Sequence, residues 1–284
     1  MTLKKQSNMK TIGMKIILAV ACAAGCGASF GCAGGKGAVG RSLPAPVRDA
    51  AQFRVEVGEK GVSERDSMAV RWYADGDFPR FMRRFERIDV RIVTSDGRTV
   101  DAYYFVSPDY LCVGTDRDFL RLPMTPRAAQ RIADMLGCFL STPKICDDVY
   151  RAARVKLEPV PMMCQREDFR TFVVHNDIIE GQRQGRKGLI AGHKKDVALA
   201  AQLAGKPDRI ALYGWHTPDG KPIQPVYTGH AFRYVDYSHG FRLVRRDVWV
   251  DGRRMDYTEV LAHPEYWRVL TDRPDQRVTA YPAH

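Results

Sequence analysis

The chain has 284 residues, of which 45% are hydrophobic, and this is enough to build one large domain or two small ones. Six basic residues and no acid lie in the first 41 residues, so only +5 of the formal net charge of +11 belongs to the rest. In that rest, basic and acidic residues are interspersed, which argues against a nucleic-acid partner.

The N-terminus has the pattern of a secretory signal, which we place at residues 1–32. Four lysines precede the apolar run 16–21, and small residues follow this run up to Phe30. The run is too short for a membrane-spanning helix, which needs about 20 apolar residues. The sequence therefore predicts export.

A lipid anchor is a second expectation for this segment. Residues 23–26, Ala-Ala-Gly-Cys, resemble the lipobox of bacterial lipoproteins. The resemblance implies that Cys26 becomes the lipidated first residue and attaches the protein to a membrane. Cleavage at another small residue, without a lipid, would instead leave a periplasmic or extracellular protein. Residues 33–52 are expected to form a flexible linker.

Four cysteines remain beyond the leader, and an even number in an exported chain favours disulfides. A bond between Cys138 and Cys146 would join two consecutive predicted helices and leave Cys112 with Cys164. This is one of three pairings. No CxxC pair is present, which argues against a structural zinc knuckle.

Residues 53–284 are predicted to form a single α+β domain with a mainly antiparallel sheet and several packed helices, because hairpin signals outnumber strand–helix–strand units. A subdivision near residues 155–165 is compatible with the pattern. Alternating or β-rich runs predict strands at 53–57, 88–94, 99–106, 110–113, 119–122, 209–214, 231–235 and 241–250. Capping residues and helical spacing predict helices at 125–137, 142–153, 166–182, 259–262 and 265–270.

Segment 209–244 concentrates polar side chains beside strand-like apolar residues, and a buried polar group without a partner costs about 1–3 kcal/mol. We therefore expect a polar pocket there. The candidate catalytic residues are His216, His230, Asp236, Ser238 and His239. The candidate substrate-binding residues are Trp215, Gln224, Tyr237 and Arg242, together with Lys194 and Lys195, which are either solvated or bind an anionic substrate group.

Strand alternation sets a condition on this pocket. If a strand covers residues 231–238 and runs on, Asp236 and Ser238 face one side and His239 faces the other. These side chains then serve one pocket only if Gly240 bends the chain.

Two site chemistries follow from the residue types. In a hydrolase, His216 would be the general base and the best single candidate, Asp236 would orient a histidine, and Ser238 or a water would be the nucleophile. In a zinc peptidase, His230 and Asp236 would bind the metal with His216 or His239 as third ligand. The His230–Asp236 pair is one residue short of the His-x6-Asp spacing of zinc carboxypeptidases that cut D-amino-acid peptides.

Residues 238–243, Ser-His-Gly-Phe-Arg-Leu, resemble the Ser-His-Gly-Cys-(Ile/Val)-Arg-(Leu/Met) signature of L,D-transpeptidases, which cross-link peptidoglycan and carry an earlier histidine as His216 stands here. The resemblance covers about 28 residues. It lacks the catalytic cysteine, one residue being missing between Gly240 and Phe241, so the transpeptidase reaction does not carry over.

A non-catalytic lipoprotein that binds glycan is the alternative from a different class, because aromatic residues of this segment could stack on sugar rings. The leading prediction is an exported hydrolase of a cell-envelope polymer, either peptidoglycan peptide or glycan. An exported enzyme meets that polymer first, and the polar side chains of segment 209–244 would form its site.

Overall fold

The computed structural model describes residues 43–282; the signal segment, Cys26 and the first part of the predicted linker lie outside them. The described chain has a mixed α/β fold with antiparallel sheets and six helices. Within these residues, no helix is both long and apolar enough to cross a membrane.

Helices and strands alternate irregularly along the chain. The helices are α1 (Ala50–Val57), α2 (Val62–Asp75), α3 (Pro126–Met135), α4 (Pro143–Ala152), α5 (Phe169–Arg183) and α6 (Tyr257–Ala262). The strands are β1 (Glu86–Val93), β2 (Thr99–Val106), β3 (Cys112–Gly114), β4 (Phe119–Arg121), β5 (Cys138–Leu140), β6 (Val155–Lys156), β7 (Ile190–Ala191), β8 (Lys195–Val197), β9 (Leu212–His216), β10 (Pro222–Tyr227), β11 (His239–Gly240), β12 (Leu243–Arg245), β13 (Asp247–Val250) and β14 (Arg253–Asp256).

Two sheets organise these strands. The larger one has the order β14-β13-β2-β12-β5, with β1 also paired to β2, and all its pairs are antiparallel. The smaller one has the order β10-β9-β8-β11, in which only β8 and β11 are parallel. The pairs β3–β4 and β6–β7 stand apart. The prediction of antiparallel sheets with packed helices is confirmed.

Local capping explains why α3 and α4 lie where the sequence placed them. Thr125 and Thr142 each accept a hydrogen bond from the backbone N–H three residues later, and a proline follows each threonine. A proline at the first helical position loses no intrahelical hydrogen bond, so these pairs fix the helix starts.

The predicted strand at 53–57 is wrong, because these residues belong to helix α1. Asp49 and Gln52 form a capping box: each side chain accepts the other residue's backbone N–H. Phe53 and Val57 lie one helical turn apart and are both fully buried. The apolar residues at 53, 55 and 57 fit a strand by their alternation, but the buried pair is spaced by four residues, which is the spacing of a helix.

The described part of the predicted linker, residues 43–52, belongs to the folded domain. Arg48 Nε lies 2.6 Å from Asp77 Oδ2, and the backbone N–H of Val47 donates to Asp77 Oδ1 at 2.7 Å. Through these contacts, the segment before α1 packs against the residues that follow α2.

The four cysteines of the described region are free thiols, so the predicted bonds Cys138–Cys146 and Cys112–Cys164 are absent from the structure. Cys112, Cys138 and Cys146 are buried, whereas Cys164 is exposed, which separates the second pair. Burial raises the pKa of the Cys138 thiol to about 12. The three buried thiols, Cys112, Cys138 and Cys146, therefore serve as small core side chains.

Candidate functional site

Residues 231–238 form a loop, where the sequence predicted a strand at 231–235 that could run on to Ser238. Asp236 Oδ1 accepts hydrogen bonds from the backbone N–H of Ser238 at 2.7 Å and from its hydroxyl at 2.5 Å. The N–H of His239 donates to the carbonyl of Asp236 at 3.1 Å. Such side-chain-to-backbone bonds favour a turn over a strand. The turn brings Asp236 and His239 together, without the bend expected at Gly240.

Five residues of this loop and of β11 come together in what we call the histidine cluster: His230, Tyr234, Asp236, Ser238 and His239. His239 Nε2 lies 4.0 Å from Asp236 Oδ1, and the ring centres of the two histidines are 6.3 Å apart. The rings of His230 and Tyr234 stack with centres 4.3 Å apart, and the Tyr234 hydroxyl donates to Asp236 Oδ2 at 3.2 Å. Four of the five predicted catalytic residues thus converge.

Two cations border the cluster. Arg166 Nη2 donates to Asp236 Oδ2 at 2.7 Å. Lys195 of β8 lies directly opposite His239 of β11 in the parallel register, and its Nζ is 4.9 Å from the ring centre of Trp215. Lys195 and Trp215 were both predicted at the site, whereas Arg166 was missed because no local pattern connects it with Asp236, 70 residues later.

Burial sets the protonation states of the cluster. His239 is only 1% exposed, and neither of its ring nitrogens has a hydrogen-bond partner in the described part of the chain. This burial lowers the pKa of His239 to about 3, and burial also lowers the pKa of His230. Burial alone would raise the pKa of Asp236, but His239 and the hydrogen bonds from Ser238 outweigh it and lower that pKa to about 2. At neutral pH, neutral imidazoles therefore stand beside a carboxylate.

The backbone of β9 is unusual next to this cluster. Gly214 has φ 88° and Trp215 has φ 56°, a left-handed conformation that costs a bulky residue about 1–3 kcal/mol. Strand alternation is interrupted here. Trp215 reaches Lys195 on one side, while the following His216 contacts residues of α4.

His216, the best single candidate from the sequence, does not contact the histidine cluster. Its Nε2 lies 2.7 Å from Asp147 Oδ1, and its ring stacks on Tyr150 with centres 4.5 Å apart. The hydroxyl of Tyr213 donates to the same carboxylate at 3.0 Å. His216, Asp147 and Tyr150 line a surface depression of about 340 Å³. Asp147 and Tyr150 were missed because they lie on α4, about 70 residues earlier in the chain.

Lys194 and Tyr237 are buried beneath the cluster. The Lys194 ammonium donates to the carbonyl of Tyr237 and lies 3.2 Å from His175 Nδ1. The Tyr237 hydroxyl accepts the backbone N–H of Met162 at 2.7 Å. Both residues therefore support the loop and do not line its surface.

Arg242 and Gln224, the remaining predicted binding residues, also lie outside the cluster. Arg242 is buried and donates to the carbonyl oxygens of Ser107 and Ile190, each at 2.7 Å. Gln224 lies in β10, and its amide donates to the carbonyl of the adjacent Pro225. Arg242, which precedes β12, is thus hydrogen-bonded to the residue after β2 and to β7.

The histidine cluster includes three of the expected zinc ligands, His230, Asp236 and His239. Within residues 43–282, no group of three or more His, Cys, Asp or Glu side chains is arranged to hold a metal ion. The expected zinc ligands His230, Asp236 and His239 are close but do not form such a group, and His216 is elsewhere.

The chain was compared with known proteins at three levels. No family model, no curated protein and no solved structure matches it.

Proposed function

We propose that the protein is an exported hydrolase that acts on a cell-envelope polymer, peptidoglycan peptide or glycan, at the histidine cluster. The observation that supports it most is the grouping of two neutral imidazoles with a carboxylate: His239 Nε2 lies 4.0 Å from Asp236 Oδ1, and the ring centre of His230 lies 6.3 Å from that of His239. The leader pattern of residues 1–32 supports export, and the tetrapeptide ending at Cys26 supports a membrane-attached lipoprotein.

In this proposal His230 is the general base and water is the nucleophile. His230 is the more exposed of the two histidines, so a water can reach its imidazole. The Asp236 carboxylate stabilises the imidazolium that forms when His230 takes a proton from water. The Ser238 hydroxyl donates to Asp236 at 2.5 Å and forms no hydrogen bond with any imidazole of residues 43–282, so it is not activated as a nucleophile.

The test compares the native protein with His230→Gln and Asp236→Asn on purified peptidoglycan, measuring released amines and new reducing ends. We expect the native protein to release product and each variant to lose about 100-fold or more in rate. His263→Gln is the matched control, because His263 stacks on Tyr266 away from the cluster. Full activity in correctly folded His230→Gln would overturn the assignment.

Binding without catalysis is the second candidate, and one observation favours it: the Ser238 hydroxyl of the cluster donates to the Asp236 carboxylate and not to an imidazole. Trp215 and Tyr234 could then stack on a sugar ring. Retention of the native protein on purified glycan, with no product released, would select this role.

A further inference from the structure

Buried hydrogen-bond donors without partners gather beside the histidine cluster. Among residues 43–282, the buried indole nitrogen of Trp215 has no hydrogen-bond partner, and neither has either ring nitrogen of His239, one of which carries a proton. The half-buried ammonium of Lys195 lies over the Trp215 ring and forms no ion pair with any other residue in the range 43–282. A buried polar group left unpaired costs about 1–3 kcal/mol, and native proteins keep few of them.

The sheet places these groups on one side. Lys195 and His239 are directly opposite in the parallel pair β8–β11, so their side chains leave the same face. The positive φ of Trp215 breaks the alternation of β9 and brings its ring under the Lys195 ammonium. Strain and unpaired donors thus occur together, as they do at ligand sites.

The chemistry of the donors defines the missing partner. An indole N–H and an ammonium can only donate, and a neutral imidazole offers one donor and one acceptor. A ligand must therefore supply acceptor oxygens, and the ammonium favours a negative charge on them. The Asp236 carboxylate, 4.0 Å from His239, disfavours a doubly charged group such as phosphate.

We infer that Lys195, Trp215 and His239 bind a carboxylate group of the substrate. This inference concerns the same site as the proposed hydrolase and names its substrate class. The carboxylate could belong to the C-terminus of a peptide or to an acidic sugar, since both present two oxygens and one negative charge.

The experiment measures binding by titration calorimetry with acetyl-alanyl-alanine against its C-terminal amide, and with glucuronic acid against its methyl ester. At least one acid should bind about tenfold more tightly than its neutral form, and the successful pair identifies the source. Trp215→Phe keeps the ring and removes the N–H, and Lys195→Met keeps the stem and removes the charge. Each should weaken binding of the acid about fivefold or more.

Trp249→Phe is the matched control, because Trp249 stacks on Tyr103 in the larger sheet and should leave binding unchanged. Equal binding of each acid and its neutral form, or unchanged binding in folded Trp215→Phe and Lys195→Met, would overturn the inference. Carboxylate binding without hydrolysis of any polymer would refute the hydrolase and keep this inference. Hydrolysis of a polymer, with equal binding of acids and neutral forms, would support the hydrolase and refute the carboxylate site.

Discussion

Gly240 allows its backbone to lie unusually close to the side chains of Tyr110 and Lys194. A Cβ atom at this position would lie 2.7 Å from the ring of Tyr110 and 2.9 Å from the Cβ of Lys194. Both neighbours are buried, so we expect Gly240→Ala to lower the free energy of unfolding by about 1–3 kcal/mol. Urea denaturation measures this change.

The control for that prediction is Gly181→Ala in the exposed face of α5, where a Cβ meets nothing within 4 Å. Alanine is the better helix former, so stability should rise by about 0.5–1 kcal/mol. A loss of equal size in both variants would show that packing at Gly240 is not the cause.

At this scale the sequence predicted the loop residues of the site and failed on distant ones. His230, Asp236, Ser238 and His239 could be grouped because they lie within ten residues. Arg166 reaches the cluster only through the fold. Gly240 was expected to bend the chain. A glycine is required there because the backbone lies close to the ring of Tyr110, a residue 130 positions earlier.

At the scale of elements, Arg121 of β4 forms a buried ion pair with Asp109 and also connects β4 with α5. Arg121 donates to both oxygens of Asp109, and each side chain is 1% exposed. Asn176 of α5 accepts from Arg121 at 3.1 Å and donates to the carbonyl of Phe119 at 3.2 Å. Arg121→Met should cost about 3–5 kcal/mol in chemical denaturation, because it leaves the Asp109 carboxylate buried without this partner.

The double variant Asp109→Leu with Arg121→Met separates charge from packing. It removes both charges, so its loss of stability should be smaller than the sum of the two single losses. Additive losses would mean that Asp109 and Arg121 act independently, contrary to their contacts.

Elements with local signals were predictable, and elements held by distant contacts were not. The caps of α3 and α4 and the turn between β1 and β2 lie in a few adjacent residues. Strand β11 has only two residues and pairs with β8, more than 40 positions away. The loop before β11 has strand-like composition, but the hydrogen bonds of Asp236 outweigh that propensity.

For the whole molecule, the buried histidines predict weaker folding in acid. Burial lowers the pKa of His175, His193 and His239 to about 2, 4 and 3, whereas unfolded histidine titrates near about 6.5. Between pH 6.5 and 4 the unfolded state therefore binds protons that the folded state excludes. The free energy of unfolding decreases as the pH is lowered through this range. Each histidine lowers the free energy of unfolding by about 1 kcal/mol when the pH is lowered from 7 to 5.5.

Asp66 acts in the opposite direction, because burial raises its pKa to about 6 and the folded state then gains a proton in the same range. It offsets about one histidine, so urea unfolding should show a net loss of about 2–3 kcal/mol at pH 5.5 relative to pH 7. Equal or greater stability at pH 5.5 would show that the three imidazoles are not neutral in the folded state.

The most direct test of the central claim, that the histidine cluster is the functional site, is nitrogen NMR of the protein with labelled histidine side chains. Soluble peptidoglycan fragments are added, and single histidine-to-glutamine variants assign the signals. We predict that the imidazole signals of His230 and His239 shift, while those of His216 and His263 stay in place. Shifts confined to His216, with His230 and His239 unchanged, would contradict the account.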